Sequence, residues 1–279
     1  MERAAGATDR SADPAREQMI ATIGVKRYRA DWANNRHRAK RLLSEFIGMF
    51  GLLFVLSAGA ATITSYAGAP VGKLTLIALL SATSALWLVA AIYFLGGVSA
   101  HFNPATTLAF ALRGDMRWAM ALAYVVVQVV AAGAGSLLAR LFFGTGGNLA
   151  ATMPPAGHSW QAMAFEAILT CGLVLLVLAM AEGPKLSGPF VPLAVGAYIF
   201  SLGTTGGLFD GAAMNPARAF GPDLALGDFG TLWVYVVGPL IGAGAAVVLD
   251  WLLSGRPTAR EAAAAQSISI DEGGSSSKS

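Results

Sequence analysis

The chain has 279 residues, of which 55% are hydrophobic and only 13% charged. Soluble domains carry about 25% charge, so a disordered chain and a coiled coil are excluded and a soluble enzyme is argued against. A single cysteine excludes an internal disulfide framework and a cysteine-based metal cluster, and the formal net charge of +3 acquires meaning only from where the charges sit.

Residues 1–41 hold ten of the nineteen Lys and Arg against five acids. The stretch lacks an apolar core of signal-peptide length, and nothing in it resembles a folded reader of nucleic acid. It is predicted to be a disordered basic tail on the cytoplasmic side, following the positive-inside bias. A helix that crosses a bilayer needs about 20 mostly apolar residues. Six such spans are predicted, at 42–66, 73–97, 116–142, 159–181, 189–209 and 229–254. Residues 255–279 end in the Ser- and Gly-rich run Gln266–Ser279 and are predicted to be a second disordered cytoplasmic tail.

Two apolar segments remain, 98–113 after the second span and 210–226 after the fifth. Each is too short to cross a membrane, and each holds the same place in its half of the chain. The predicted channel domain, 42–254, therefore divides into three-span units at 42–144 and 159–254. An odd number of spans makes the second unit enter from the opposite face, as an inverted repeat. The predicted fold class is an all-α membrane protein of six transmembrane helices and two re-entrant half-helices.

Both leftover segments contain Asn-Pro-Ala: Asn103-Pro104-Ala105 and Asn215-Pro216-Ala217. Asn is a strong N-cap, and Pro suits the first helical position, where its missing N–H costs nothing. Each tripeptide therefore starts a helix about 15 Å long, half the hydrocarbon thickness. Two such helices entering from opposite faces meet N-terminus to N-terminus near the midplane. Their positive dipole ends and the amides of Asn103 and Asn215 favour a neutral solute with lone pairs and repel a cation. A water accepting from both amides turns its own donors away from the centre, which breaks a proton wire.

With these boxes the chain resembles the major intrinsic proteins, the aquaporins and glycerol facilitators, over about 42–254. The family pattern also includes a Glu in spans 1 and 4 (Glu45, Glu166), a Gln in span 3 (Gln128) and an Arg directly after the second box (Arg218). The resemblance implies one pore per subunit of a homotetramer; six spans with a basic N-terminal tail put both termini on the cytoplasmic side of a plasma or inner membrane, and no cofactor or metal is expected. It implies that Glu45 and Glu166 hold backbone N–H groups of the re-entrant loops and that His101 sits near the cytoplasmic mouth. It places the selectivity filter at Gly203, Ala212, Arg218 and a span-2 residue, Thr83 or Ser84. The family's mercury-sensitive position matches Ala212, and Cys171 is expected to be a small buried residue of span 4.

Strict water channels of the family place a His in span 5 and an aromatic residue in span 2; here those positions are small. Ala219, after Arg218, departs from the Asp of dedicated glycerol facilitators. The expected function is a passive water channel whose wide filter admits small neutral solutes and excludes ions and protons. The alternative is a glycerol, urea or metalloid facilitator with water secondary. A coupled transporter would need titratable groups at mid-membrane, which the body lacks outside the Glu pair, and a non-conducting scaffold would be favoured by long ordered loops or a bulky plug. No nucleophile–base constellation supports an enzyme.

Overall fold

The computed structural model describes residues 35–180 and 190–257, so most of both predicted tails lies outside the described residues. Among the described residues the chain forms α1 (Asn35–Tyr66), α2 (Lys73–Leu95), α3 (Pro104–Arg113), α4 (Trp118–Phe143), α5 (Ser159–Met180), α6 (Val191–Gly207), α7 (Pro216–Leu226) and α8 (Leu232–Ser254), with no strand. Helices α1, α2, α4, α5 and α8 are long and apolar enough to cross a membrane. The remaining span, α6, has 17 residues, about 25 Å. It runs antiparallel along α2, with Gly196 against Val89, Gly203 against Ser81 and Gly207 against Ile77. Helix α1 is already helical at Asn35, the first described residue, seven residues before the predicted span begins at 42. The reason is local: Arg, Lys and Ala are strong helix formers, so the helix continues into the basic segment after the apolar pattern stops.

The packing repeats in the two halves. Helix α1 lies on α4, α5 lies on α8, and α2 lies on α6 across the middle. Lipid tails are as apolar as Leu, so close backbone approach through small residues must hold such pairs. A Cβ on Gly135 of α4 would lie 2.5 Å from the Phe50 carbonyl oxygen of α1, and one on Gly238 of α8 would lie 2.6 Å from the Met163 carbonyl oxygen of α5. A Ser57–Ser136 hydroxyl pair at 3.0 Å adds a polar tie between α1 and α4. Large apolar side chains such as Leu86, Leu141 and Leu252 point outward and are mostly exposed, as a lipid-facing surface requires.

The half-helices α3 and α7 have 10 and 11 residues. Each ends at a glycine in the left-handed region, Gly114 (φ 98°) and Gly227 (φ 77°). Each also crosses between halves: α3 packs on α8 and α5 as well as α4, and α7 packs on α4 and α1 as well as α8. At the C-terminal end of α3, Arg113 is fully buried. Its Nε donates to Asp115 at 2.6 Å and its Nη1 to Asp250 of α8 at 3.2 Å. A buried cation is tolerable when it is paired in this way.

Candidate functional site: a cavity between two facing half-helices

The extended backbones of Asn103 (φ −161°) and Asn215 (φ −157°) let each side chain fold back over its own helix start. Asn103 Oδ1 accepts from Ala105 N at 2.8 Å, and Asn215 Oδ1 accepts from Ala217 N at 3.1 Å and Arg218 N at 3.3 Å. The nitrogen of each amide then reaches the opposite loop. Asn103 Nδ2 donates to the Met214 carbonyl and Asn215 Nδ2 to the Phe102 carbonyl, both at 2.8 Å. An amide nitrogen carries two protons; Asn103 has one committed to the cross-tie and one left for the cavity that both residues line, while the second Asn215 N–H meets Met49 Sδ at 4.0 Å. The sequence points to these amides as donors where the half-helices meet; the structure adds the reciprocal tie between the boxes.

The carbonyls are available because Phe102 (φ 46°) and Met214 (φ 53°) sit in the left-handed region, a conformation costing on the order of 1–3 kcal/mol for a side chain of this kind. A buried carboxylate holds each loop in it. Glu45 accepts from His101 N and Phe102 N, both at 2.8 Å, and Glu166 accepts from Ala213 N and Met214 N at 2.5 and 2.7 Å. Hydrogen bonds to a charged group contribute about 1.5–3 kcal/mol each, so two per loop offset the backbone strain. Gln128 of α4 donates to Glu45 at 2.8 Å and to Thr107 at 3.1 Å.

Between the half-helices lies a cavity of ≈ 220 Å³. A water occupies about 30 Å³ of liquid, so the space suits a file of several waters or a small polar solute. Ser81, Gly203, Ala212 and Arg218 line one end of it, Asn103 and Asn215 the middle, and His101 with Leu173, Val177 and Val191 the other end. Of the two span-2 candidates, Ser84 lines the cavity and Thr83 does not. The Thr83 hydroxyl donates instead to the Leu79 carbonyl of its own helix, because adjacent helical residues point about 100° apart. The α2 residue beside Gly203 is Ser81, whose Oγ would lie 2.9 Å from a Cβ at 203. Sequence reasoning missed Ser81, although its three-residue spacing from Ser84 puts both on one helix face.

Arg218 Nη1 donates to the Ala150 carbonyl at 2.8 Å. That carbonyl is presented by a tight turn over Gly146–Ala150, in which Gly147, Asn148, Leu149 and Ala150 all have φ between 51° and 60°. Nothing in the sequence signalled this turn beyond its glycine pair. Asp210 lies behind this end and does not line the cavity. Its Oδ1 accepts from Ala212 N at 2.9 Å, and its carbonyl accepts from Tyr235 Oη at 2.7 Å and Met153 N at 3.1 Å. It therefore fastens the loop that carries Ala212. Cys171 is partly buried in α5 and does not line the cavity. Among the described residues no group of three or more His, Cys, Asp or Glu side chains is arranged to hold a metal ion.

A membrane-embedded helical bundle with two half-helices facing across a narrow polar cavity is the architecture of a passive channel. Residues 32–249 match the family model for the major intrinsic proteins. Aquaporin NIP1-4 of Oryza sativa subsp. japonica is 37% identical over 206 residues, covering 73% of each chain. Aquaporin TIP1-1 of Zea mays is 41% identical over 156 residues, covering 55% of this chain and 62% of its own. The X-ray structure of the aquaglyceroporin from Plasmodium falciparum superposes with a TM-score of 0.64 at 21% identity, over 78% of this chain and 96% of that one, and so shares the fold. The chain belongs to the major intrinsic protein family: it is a multi-pass membrane channel for water and small solutes, and not an enzyme.

Proposed function

We propose that this channel conducts water through a wide filter formed by Ser81, Ser84, Gly203, Ala212 and Arg218, and that small neutral solutes pass beside it. The observation that carries this reading is the absence of bulk at that end of the cavity. Gly203 and Ser81 face each other on α6 and α2, and Ala212 completes the rim. Arg218 is the one charged side chain named along the cavity. It supplies donors to a solute oxygen and repels cations, and the facing N-termini of α3 and α7 add positive potential. The second reading is a facilitator for glycerol, urea or a metalloid hydroxide with water secondary; the same small rim favours it. We assign the channel to the plasma or inner membrane as a homotetramer, with both termini cytoplasmic.

Stopped-flow light scattering on one proteoliposome preparation, using water, glycerol, urea and a metalloid hydroxide in turn, tests the reading. Water flux well above that of empty vesicles, with measurable flux of at least one solute and no need for an ion gradient, is the expected result. Flux of water alone would overturn the wide filter. Gly203→His should cut solute flux more than water flux. Its Cβ needs the Ser81 hydroxyl to give way, so Ser81→Ala/Gly203→His is the variant that separates narrowing from misfit.

A further inference from the structure

We propose that His101 is held as a neutral ring with its proton on Nε2, and that it thereby serves as a fixed hydrogen-bond donor to solutes at its end of the cavity. Thr107 and Gln128 are the positioning residues that hold this state. The inference rests on the reading of the cavity as the conducting path.

The proton positions are set outward from a buried anion. Glu45 Oε2 takes one N–H of the Gln128 amide, at 2.8 Å. The opposite flip of that amide would set oxygen against carboxylate, so the anion fixes which atom is nitrogen. The second Gln128 N–H goes to Thr107 Oγ1 at 3.1 Å. A hydroxyl has only one proton to give, and the remaining neighbour of Thr107 Oγ1 is His101 Nδ1, also at 3.1 Å. The oxygen could accept from both neighbours, but its own buried proton finds an acceptor only where Nδ1 carries a lone pair, so we assign Thr107 as the donor to Nδ1. In a neutral imidazole the proton then sits on Nε2.

The surroundings keep the ring in one place. It stacks on Phe110 with centroids 4.7 Å apart and meets Tyr124 edge-on at 5.2 Å. Thr107 and Gln128 are fully buried, so no bulk water competes for their bonds. His101 itself lines the cavity. Leu173, Val177 and Val191, which also line the cavity, are apolar and offer a solute no hydrogen bond. A donor here continues the row begun by the second N–H of Asn103.

The test reads the tautomer directly, by nitrogen-15 NMR of histidine-labelled protein in liposomes. The chain has three histidines, so His37→Gln/His158→Gln leaves His101 as the sole signal. The expected spectrum shows a protonated Nε2 and an unprotonated Nδ1; a protonated Nδ1, or an even mixture of the two, overturns the proposal without touching the channel reading. Thr107→Val removes the hydroxyl and should mix the tautomers, while Thr107→Ser should restore the single form. Water flux should fall about two- to tenfold in Thr107→Val, the factor expected for one hydrogen bond, and recover in Thr107→Ser. A mixed tautomer with unchanged flux would overturn the donor role, and an unchanged tautomer in Thr107→Val would overturn the positioning role.

Discussion

The smallest decisive units in this protein are side chains that bond to backbone rather than to one another. Glu166 is one, since its two oxygens serve two loop N–H groups. Glu166→Gln keeps the shape but leaves a single accepting oxygen, so one buried N–H loses its partner at a cost of about 1–3 kcal/mol. A lower thermal-aggregation temperature in detergent, with reduced water flux, is the expected outcome; Glu45→Gln should do the same to the other loop. Ala212 gives a second residue-scale prediction. It lines the cavity while Cys171, the sole cysteine, does not. Mercuric ion should therefore leave the wild-type flux unchanged and should block Ala212→Cys, reversibly with added thiol. Legibility at this scale was uneven. The two Asn-Pro-Ala boxes announced their caps because Asn and Pro have few other reasons to sit together twice. Ser81 and Ala150 stayed hidden, the first because a serine on an apolar helix looks like any other, the second because it acts through its carbonyl.

The elements are held by close approach, and glycine marks where it happens. Gly135 lies against the α1 backbone and Gly238 against that of α5. Gly135→Leu should destabilise the fold by about 1–3 kcal/mol or more, since the obstacle is a main-chain oxygen that cannot swing aside; loss of the monodisperse peak in detergent chromatography checks this. Arg113 offers a contrast. Arg113→Met would remove the buried cation that Asp250 pairs with at 3.2 Å, at about 3–5 kcal/mol. The double variant Arg113→Met/Asp250→Asn should recover part of the loss, which separates unpaired charge from lost packing. Hydropathy located the spans well because lipid demands long apolar runs. It says nothing of the helical residues before 42, where helix propensity outlasts the apolar pattern, and the Gly146–Ala150 turn left no periodic trace to read.

At the scale of the whole molecule, the low charge content separates into a basic tail and an almost uncharged body, and the proposed orientation rests on that separation. Epitope tags at the two termini should both stay hidden in intact cells and become accessible together on permeabilisation; exposure of either one in intact cells would contradict the assigned topology. The inverted repeat was readable because the two boxes sit 112 positions apart at matching places. The exchange of partners between halves was not, because no local pattern records a bond from Asn103 to Met214. That bond and its mate from Asn215 to Phe102 have a consequence for biosynthesis. The first box leaves the ribosome 112 residues ahead of the second, about 6–22 s at ordinary rates of synthesis. During that interval the first half has no partner for its Asn103 amide, and the Phe102 carbonyl has no donor. The throat of the channel cannot exist in a half-made chain, so a nascent or truncated copy in the membrane has no finished path through which to leak.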